Sequence, residues 1–441
     1  MTAAMSAAAF LAVLTGTTVT STLESLGEAL DVTLSGTVWI TTTYLVAASA
    51  AVPLIGWLTA RLGPARVLQL ALVGFAAGSL LCGLAWDLAS MVAFRAVQGL
   101  FGGMLEPAAV AIVGIVTPAA SMGRVMGLVS LVINLGPVAG PLLGGALTGV
   151  GAWRWIFWLN VPIAIVVGLA AWRLMPDAER RADRSVRVDV IGIALLPPGF
   201  VLMLLGMNRW GAGADAGIVI ACVAAGAAML ALYVPHALRA AEPLLDLRLL
   251  RAPAFTAALG VMSAVGFIMY TQLTVLPLAA ERLGLDAGWR ALPVAALGTG
   301  LMISMTLAGR LSDRTGPRPP VAAGASLTAL AAAAVAVGNA SWGPAALLAV
   351  LLVLGLGFGA IAAPTFASIY RVLPKTAVGQ GTAALFIVVQ LFAAVGVTLV
   401  GFLVERAAQP VDAAYGLVAV AALAVAAASV LLPARPAPAA G

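Results

Sequence analysis

The chain has 441 residues, 62% of them apolar and only 9% charged, with 48 glycines, 25 prolines and a mean hydropathy of +1.09. Soluble domains carry about a quarter charged residues and disordered chains more, so both classes are excluded. The 23 basic and 17 acidic side chains are too few to coat a water-soluble fold of this size, and the chain reads as a membrane protein. An outer-membrane barrel is excluded as well, because its strands would alternate with period two over about ten residues. Here the apolar runs continue for a full helical span, as at 214–235 and 412–433.

With about 20 apolar residues per helix plus a connection, the length accommodates roughly fourteen spans. In chain order, punctuation by charge, Pro and Gly predicts helices at 5–26, 36–58, 67–86, 90–115, 124–149, 154–174, 188–207, 214–236, 253–277, 290–309, 320–338, 343–368, 378–403 and 412–433. The first run lacks a basic leader and a small-residue cleavage site, so it reads as a retained helix. With the N-terminus inside, most basic residues, among them Arg61, Arg66, Arg180, Arg181, Arg184, Arg187, Arg248, Arg251, Arg310, Arg314, Arg318, Arg371 and Lys375, fall on the cytoplasmic side. Arg154, Arg209, Arg282, Arg290 and Arg406 fall outside. The positive-inside rule then predicts both termini in the cytoplasm. The high pI reflects this topology, and the dispersed basic residues give no nucleic-acid footprint. Cys82 and Cys222 lie far apart in apolar runs and signal neither a disulfide framework nor a metal site.

An internal repeat follows. Gly56-Trp57-Leu58-Thr59-Ala60-Arg61-Leu62-Gly63-Pro64, after the second span, recurs as Gly309-Arg310-Leu311-Ser312-Asp313-Arg314-Thr315-Gly316-Pro317 after the tenth. Two six-helix bundles with two helices inserted between them produce this displacement. The expected organisation is 1–175 for the N-terminal bundle, 176–252 for the inserted pair with its connectors and 253–441 for the C-terminal bundle. Parallel repeats of this kind form transporters with the substrate site between the halves.

In the fifth span Gly127, Gly136, Gly140, Pro141, Gly144 and Gly145 stand at spacings that let a helix pack closely and bend. With Arg95-Ala96-Val97-Gln98-Gly99 in the fourth span and Trp153–Pro162 before the sixth, the chain resembles the major facilitator superfamily, in its fourteen-helix drug:proton antiporter subgroup. The resemblance implies an all-α membrane fold, two six-helix bundles plus two inserted helices, and a conformational role for the glycine motif. It implies a cytoplasmic latch at Gly56, Arg61, Gly63, Arg66, Gly309, Asp313, Arg314 and Gly316. Two departures stand out. Ala60 replaces the family's Asp in the first loop, while Asp313 keeps it in the second, and Thr15 occupies the first-helix position where the subgroup has an Asp implicated in proton coupling.

Only Glu24, Arg95 and Glu106 fall inside the predicted spans as charged residues. A charge there costs at least about 2.5 kcal/mol on insertion scales, so each is a candidate functional residue. Arg95, Gln98, Gly99, Gly102 and Glu106 share one stripe, with Glu106 about 16 Å deeper than Arg95. Glu24 is expected at the depth of Arg95 and to pair with it. Glu106 is expected to replace the missing first-helix carboxylate, because a carboxyl unpaired in low dielectric favours its proton-loaded form. The alternatives are a surface location for Glu24 and, for Glu106, a hydrogen bond to backbone freed by Pro107. Thr15, Thr17, Thr20, Gln98, Asn134, Tyr270, Gln272 and Gln390 are candidate cavity-lining residues. The sequence thus predicts a monomeric, proton-coupled exporter of a small hydrophobic or cationic compound such as a drug or antibiotic. It is expected to lie in a bacterial cytoplasmic membrane, with the bilayer and substrate as partners and the proton as coupling ion. No other cofactor and no metal is expected. A lipid or metabolite carrier not coupled to protons is the alternative, and a membrane enzyme or sensor lacks any convergent catalytic set.

Overall fold

A computed structural model describes residues 1–20, 22–174, 186–211, 215–282, 292–338 and 342–434. The first half contains α1 (Thr2–Thr20), α2 (Leu23–Ala29), α3 (Leu34–Ala51), α4 (Ile55–Leu62), α5 (Pro64–Gly83), α6 (Leu88–Val116), α7 (Met122–Asn134), α8 (Gly136–Gly149), α9 (Trp155–Trp158) and α10 (Asn160–Leu174). The inserted pair is α11 (Val190–Gly211) and α12 (Ala216–Arg239). The second half contains α13 (Pro253–Arg282), α14 (Leu292–Thr315), α15 (Arg318–Gly338), α16 (Pro344–Val372), α17 (Val378–Arg406) and α18 (Pro410–Ala428).

Thirteen helical stretches among the described residues are long and apolar enough to cross a bilayer. The remaining predicted span, at 124–149, is divided between α7 and α8 around Leu135. Pro137 explains the division, since its ring removes a backbone donor and crowds the preceding turn. The first span also differs from expectation: α1 stops at Thr20 instead of reaching 26, and Glu24 lies beyond its end on the short helix α2. Hydroxyls of Thr18, Thr20 and Thr22 donate to the carbonyls of Leu14, Gly16 and Thr18, a pattern that bends and weakens helices.

Helix ends follow local chemistry. Asp87 caps α6, accepting from the Ser90 N–H at 2.8 Å while the Ser90 hydroxyl reaches back to the Asp87 N–H. These bonds hold the Asp87 carboxyl below the usual carboxylate range. Asp215 caps α12 in the same way through the Gly217 N–H. Gly63 and Gly316, one in each loop repeat, both take φ near +80°, at 84° and 82°. That region favours glycine, so the two copies share one backbone turn.

In the first half α6 is central, flanked by α1, α3 and α5. In the second half α16 packs on α14 and α15, and α13 packs on α17. The halves meet where α7 lies on α14 and α16, and where α4 and α6 lie on α17. The inserted helices pair with each other, and α11 also touches α3 and α17. Only 17% of the apolar window of α12 is buried, which puts this helix at the periphery. Outward apolar side chains such as Val73, Leu142 and Val337 form a surface suited to lipid and unsuited to water.

Candidate functional site

The stripe on α6 faces α3. A Cβ at Gly99 would collide with the Tyr44 carbonyl, and one at Gly103 with the Ala48 carbonyl, so these glycines exist for close helix approach. This approach encloses Arg95, which has no exposed surface. Its Nε donates to the Ile40 carbonyl at 3.1 Å and its Nη1 to Gln98 Oε1 at 2.6 Å, while the guanidinium lies 4.1 Å from the Tyr44 ring centroid. Gln98 is equally buried and donates to Ser79 Oγ at 2.6 Å. Gln98 is therefore a partner of Arg95 and not a wall of an open cavity. The side chain of Glu24 is outside the described residues, so its expected pairing with Arg95 lies outside them too.

Glu106 is different. It is half-buried, and among the described residues its carboxyl makes no hydrogen bond or ion pair. It lies close enough to Tyr44, Tyr270 and Tyr370 to interact with each electrostatically, which brings together α3, α6, α13 and α16 from both halves. The alternative of a hydrogen bond to backbone freed by Pro107 is not realised. Tyr370 is held by Thr382 at 3.0 Å. Tyr44 donates to the Ala12 carbonyl at 3.3 Å, and its hydroxyl lies 2.7 Å from where a Gly102 Cβ would be.

Several candidate lining residues are engaged elsewhere. Thr15 is buried and donates to Leu11 O at 2.9 Å and to Asn160 Oδ1 at 3.0 Å, tying α1 to α10. Thr17 donates to Gly136 O at 3.1 Å and sits against Gly140, fastening α1 to α8. Thr20 back-bonds to Gly16 O at 2.9 Å. Asn134 donates to Ser130 O at 2.8 Å and lies 3.9 Å from Met305 Sδ on α14. Gln272 is 1% exposed with both amide atoms unpaired.

Tyr270 and Gln390 do converge, on a cavity of about 300 Å³ between α3, α11, α13 and α17. Thr42, Ser49, Asn208 and Arg209 add polar groups to a lining that is otherwise aliphatic. Gln390 Oε1 has no partner, and Arg209 stacks 4.9 Å from the Trp39 ring centroid. A mostly apolar pocket with a few placed polar groups suits a small organic ligand. Asn208 and Arg209 are absent from the sequence-based candidates, because polar residues at the end of a predicted span read as interfacial anchors.

The glycine motif divides by function. Gly127 faces the Met305 carbonyl of α14, whereas Gly136 and Gly140 receive Val13 and Thr17 of α1. Gly144 is buried, Gly145 has open space around it, and the ring of Pro141 is outside the described residues. The motif thus seats one helix against both halves.

The loop repeats are unequal. Asp313 accepts from the N–H groups of Gly123 at 2.7 Å and Arg124 at 2.9 Å, capping α7, and also binds Arg371 at 2.5 Å. Gly309 and Gly123 approach too closely for any Cβ. In the first copy Gly56 meets Gln380 of α17 less closely, and Ala60 offers no cap. Arg61 donates to the Val186 carbonyl at 2.9 Å, and Arg66 and Arg314 are exposed without a partner among the described residues. Arg371, also missing from the candidates, is read from sequence only as a topology marker.

The sequence profile of the Major Facilitator Superfamily matches residues 5–397. The chain belongs to the Major Facilitator Superfamily. It is 31% identical over 376 residues to the multidrug resistance protein B homolog of Mycobacterium tuberculosis, covering 83% of this chain and 68% of that one. It is 30% identical over 320 residues to the multidrug export protein EmrB of Escherichia coli, covering 71% and 62%. The fatty acid resistance protein FarB of Neisseria gonorrhoeae is 30% identical over 289 residues, covering 64% and 56%. Among solved structures, the human organic anion transporter MFSD10 matches with a TM-score of 0.68 at 15% identity, covering 97% of this chain and 99% of that one. The proton:xylose symporter XylE matches with a TM-score of 0.65 at 16% identity, covering 97% and 94%. The fold is therefore the major facilitator fold, and the chain is a transporter of that superfamily with relatives named for multidrug resistance and export.

Proposed function

We propose that this protein exports a small hydrophobic or cationic compound, such as a drug or antibiotic, by alternating access and in exchange for protons. It does so as a monomer in a bacterial cytoplasmic membrane with both termini in the cytoplasm. Glu106 carries the reading: an acidic side chain on the central helix α6, without hydrogen-bond or ionic partner among the described residues and within electrostatic reach of Tyr44, Tyr270 and Tyr370 from both halves. A group in this position loads a proton or a cationic substrate, one at a time, because a single carboxylate neutralises a single charge. In this reading the Arg95–Gln98 knot sets the spacing of α3 and α6, with Nε and Nη1 engaged by Ile40 and Gln98 and the buried Nη2 without a hydrogen-bond partner among the described residues.

The test is flux in proteoliposomes across a panel of organic cations and neutral drugs, with and without a pH gradient. Wild type is expected to move substrate faster with the gradient. Glu106→Gln is expected to cut that acceleration at least about tenfold while the protein still binds a neutral substrate. Unchanged gradient dependence in Glu106→Gln would remove the carboxyl from the coupling step.

A second reading has its own observation. Arg209, together with Asn208, lines the apolar cavity of about 300 Å³ and has no carboxylate partner among the described residues. An anionic amphiphile, head at Arg209 and chain along α11, fits this lining, and the name of FarB describes resistance to such compounds. A carrier of lipids or metabolites not coupled to protons follows from this reading, and flux of a fatty carboxylate insensitive to the gradient identifies it.

A further inference from the structure

The two junctions between the halves on the loop-repeat face are related by the internal repeat, yet they are built differently. Helices α6 and α16 are each 29 residues long, and each is followed by the same spacing of proline and glycine, Pro118 to Gly123 and Pro374 to Gly379. Aligning these runs places Ile115 where Arg371 stands, and the loop repeat places Ala60 where Asp313 stands. The second-half junction holds a buried ion pair that also caps a helix. The first-half junction, between α4 and α17, has lost both the carboxylate and the guanidinium.

Other groups are fastened there. The Trp57 indole donates to the Arg187 carbonyl at 3.1 Å, and Arg61 donates to the Val186 carbonyl at 2.9 Å, so the chain leading into α11 is tied to α4. On the other side Gln380, the α17 residue that meets Gly56, accepts from the Asp246 N–H at 2.9 Å, so the chain leaving α12 is tied to α17. Two side chains join the two connectors, Asp189 and Glu242. Asp189 accepts from the Gly192 and Leu244 N–H groups, both at 2.8 Å, and lies 2.6 Å from His236 Nε2. A Cβ at Gly192 would strike this carboxylate, so the position is kept open for it. Glu242 accepts from the Arg187 N–H at 2.6 Å, and Tyr233 exchanges hydrogen bonds with Leu245, which closes the same seam.

We propose that the connectors of the inserted helix pair form the missing first-half latch, with Asp189 as the positioning residue that joins the α4 side to the α17 side. In this arrangement the inserted helices carry a clasp across the junction that Ala60 leaves without a cap. The second-half junction needs none, because Asp313 bridges its two halves directly.

The test uses the full-length purified protein with Cys82 and Cys222 replaced and a single Thr59→Cys substitution. Thr59 is 7% exposed and faces Gly379 across this junction, so maleimide labelling at that position reports separation of α4 from α17. Asp189→Ala is expected to raise the labelling rate about tenfold, because a carboxylate accepting several hydrogen bonds is lost. Adding Ala60→Asp with Ile115→Arg rebuilds the second-half arrangement in the first half and is expected to return labelling to within about twofold of the parent. A merely structural Asp189 would not be rescued by charges placed at positions 60 and 115. Where Asp189→Ala fails to fold, Trp57→Phe with Arg61→Gln loosens the clasp from the α4 side and is expected to show the same rise and the same rescue. Labelling that stays at the parent rate when the clasp is cut, or a rise that the rebuilt latch does not reverse, overturns the proposal. No substrate or pH gradient is present in this assay, so its failure and a failure of proton coupling are separate results.

Discussion

At the residue scale, helix-contact glycines and motif glycines differ in what surrounds them. Gly99 and Gly103 face backbone carbonyls of α3 that cannot move aside, whereas Gly145 faces open space. Gly99→Ala is expected to destabilise the protein by about 1–3 kcal/mol, the usual cost of overpacking. Gly145→Ala should stay within about 0.5 kcal/mol. Thermal unfolding in detergent separates the two, and a flux defect in a stable Gly145→Ala protein would assign that glycine to motion. Asp189 gives a pH expectation. Burial works to raise its carboxyl, but the Gly192 and Leu244 N–H groups and then His236 outweigh burial and hold it below the usual carboxylate range. A depressed folded-state value means the contribution is present above the unfolded value of about 3.9 and is lost as pH falls through the folded one. His236 and Tyr233 on α12 and the Arg187–Glu242 contact face the same seam. Melting curves of the wild type and Asp189→Asn are expected to stay apart from pH 7 downward and to converge only at the acid end, towards pH 3. Loss of the difference already at pH 6 would contradict this.

At the element scale the broken span is the informative one. Pro137 interrupts the fifth helix where it passes from α14, at Gly127, to α1, at Gly136 and Gly140, so the bend lets one helix serve both halves. Its other end is capped by Asp313, whose partner Arg371 has a side chain only 5% exposed. Asp313→Ala leaves two helix N–H groups without their acceptor and that guanidinium with only Ser312 and the Ala119 carbonyl, at a cost of about 3 kcal/mol to the closed junction. This shifts an open-to-closed ratio by about a hundredfold, which cross-linking between cysteines placed on α7 and α14 would detect. Unaltered cross-linking would make the pair incidental. The boundaries of most spans were legible because hydropathy and proline placement act locally. The shortened first helix was not, because the loss of its last turn depends on where Thr18, Thr20 and Thr22 turn their hydroxyls.

At the scale of the whole molecule, the distribution of Lys and Arg predicts orientation. A phosphatase fused after Gly316 is expected to be inactive and one fused after Asp215 active; the reverse result would invert the topology. The sequence by itself determined the membrane class, the number and order of the spans to within the broken fifth helix, the duplicated loops and the family. These follow from hydropathy, spacing and repetition, which need no knowledge of how helices are rotated. It also singled out Glu106 by charge alone. Only the tertiary structure decided which polar groups remained free to act. Arg95 bonds to Gln98, Thr15 turns to Asn160, and Arg61 turns to the Val186 carbonyl, whereas Glu106 has no partner among the described residues. The physical reason is that a polar atom inside a bilayer gains from any partner within reach, and most here have one. Which partner it finds depends on the rotation and bending of neighbouring helices, quantities that residue spacing along one helix does not contain.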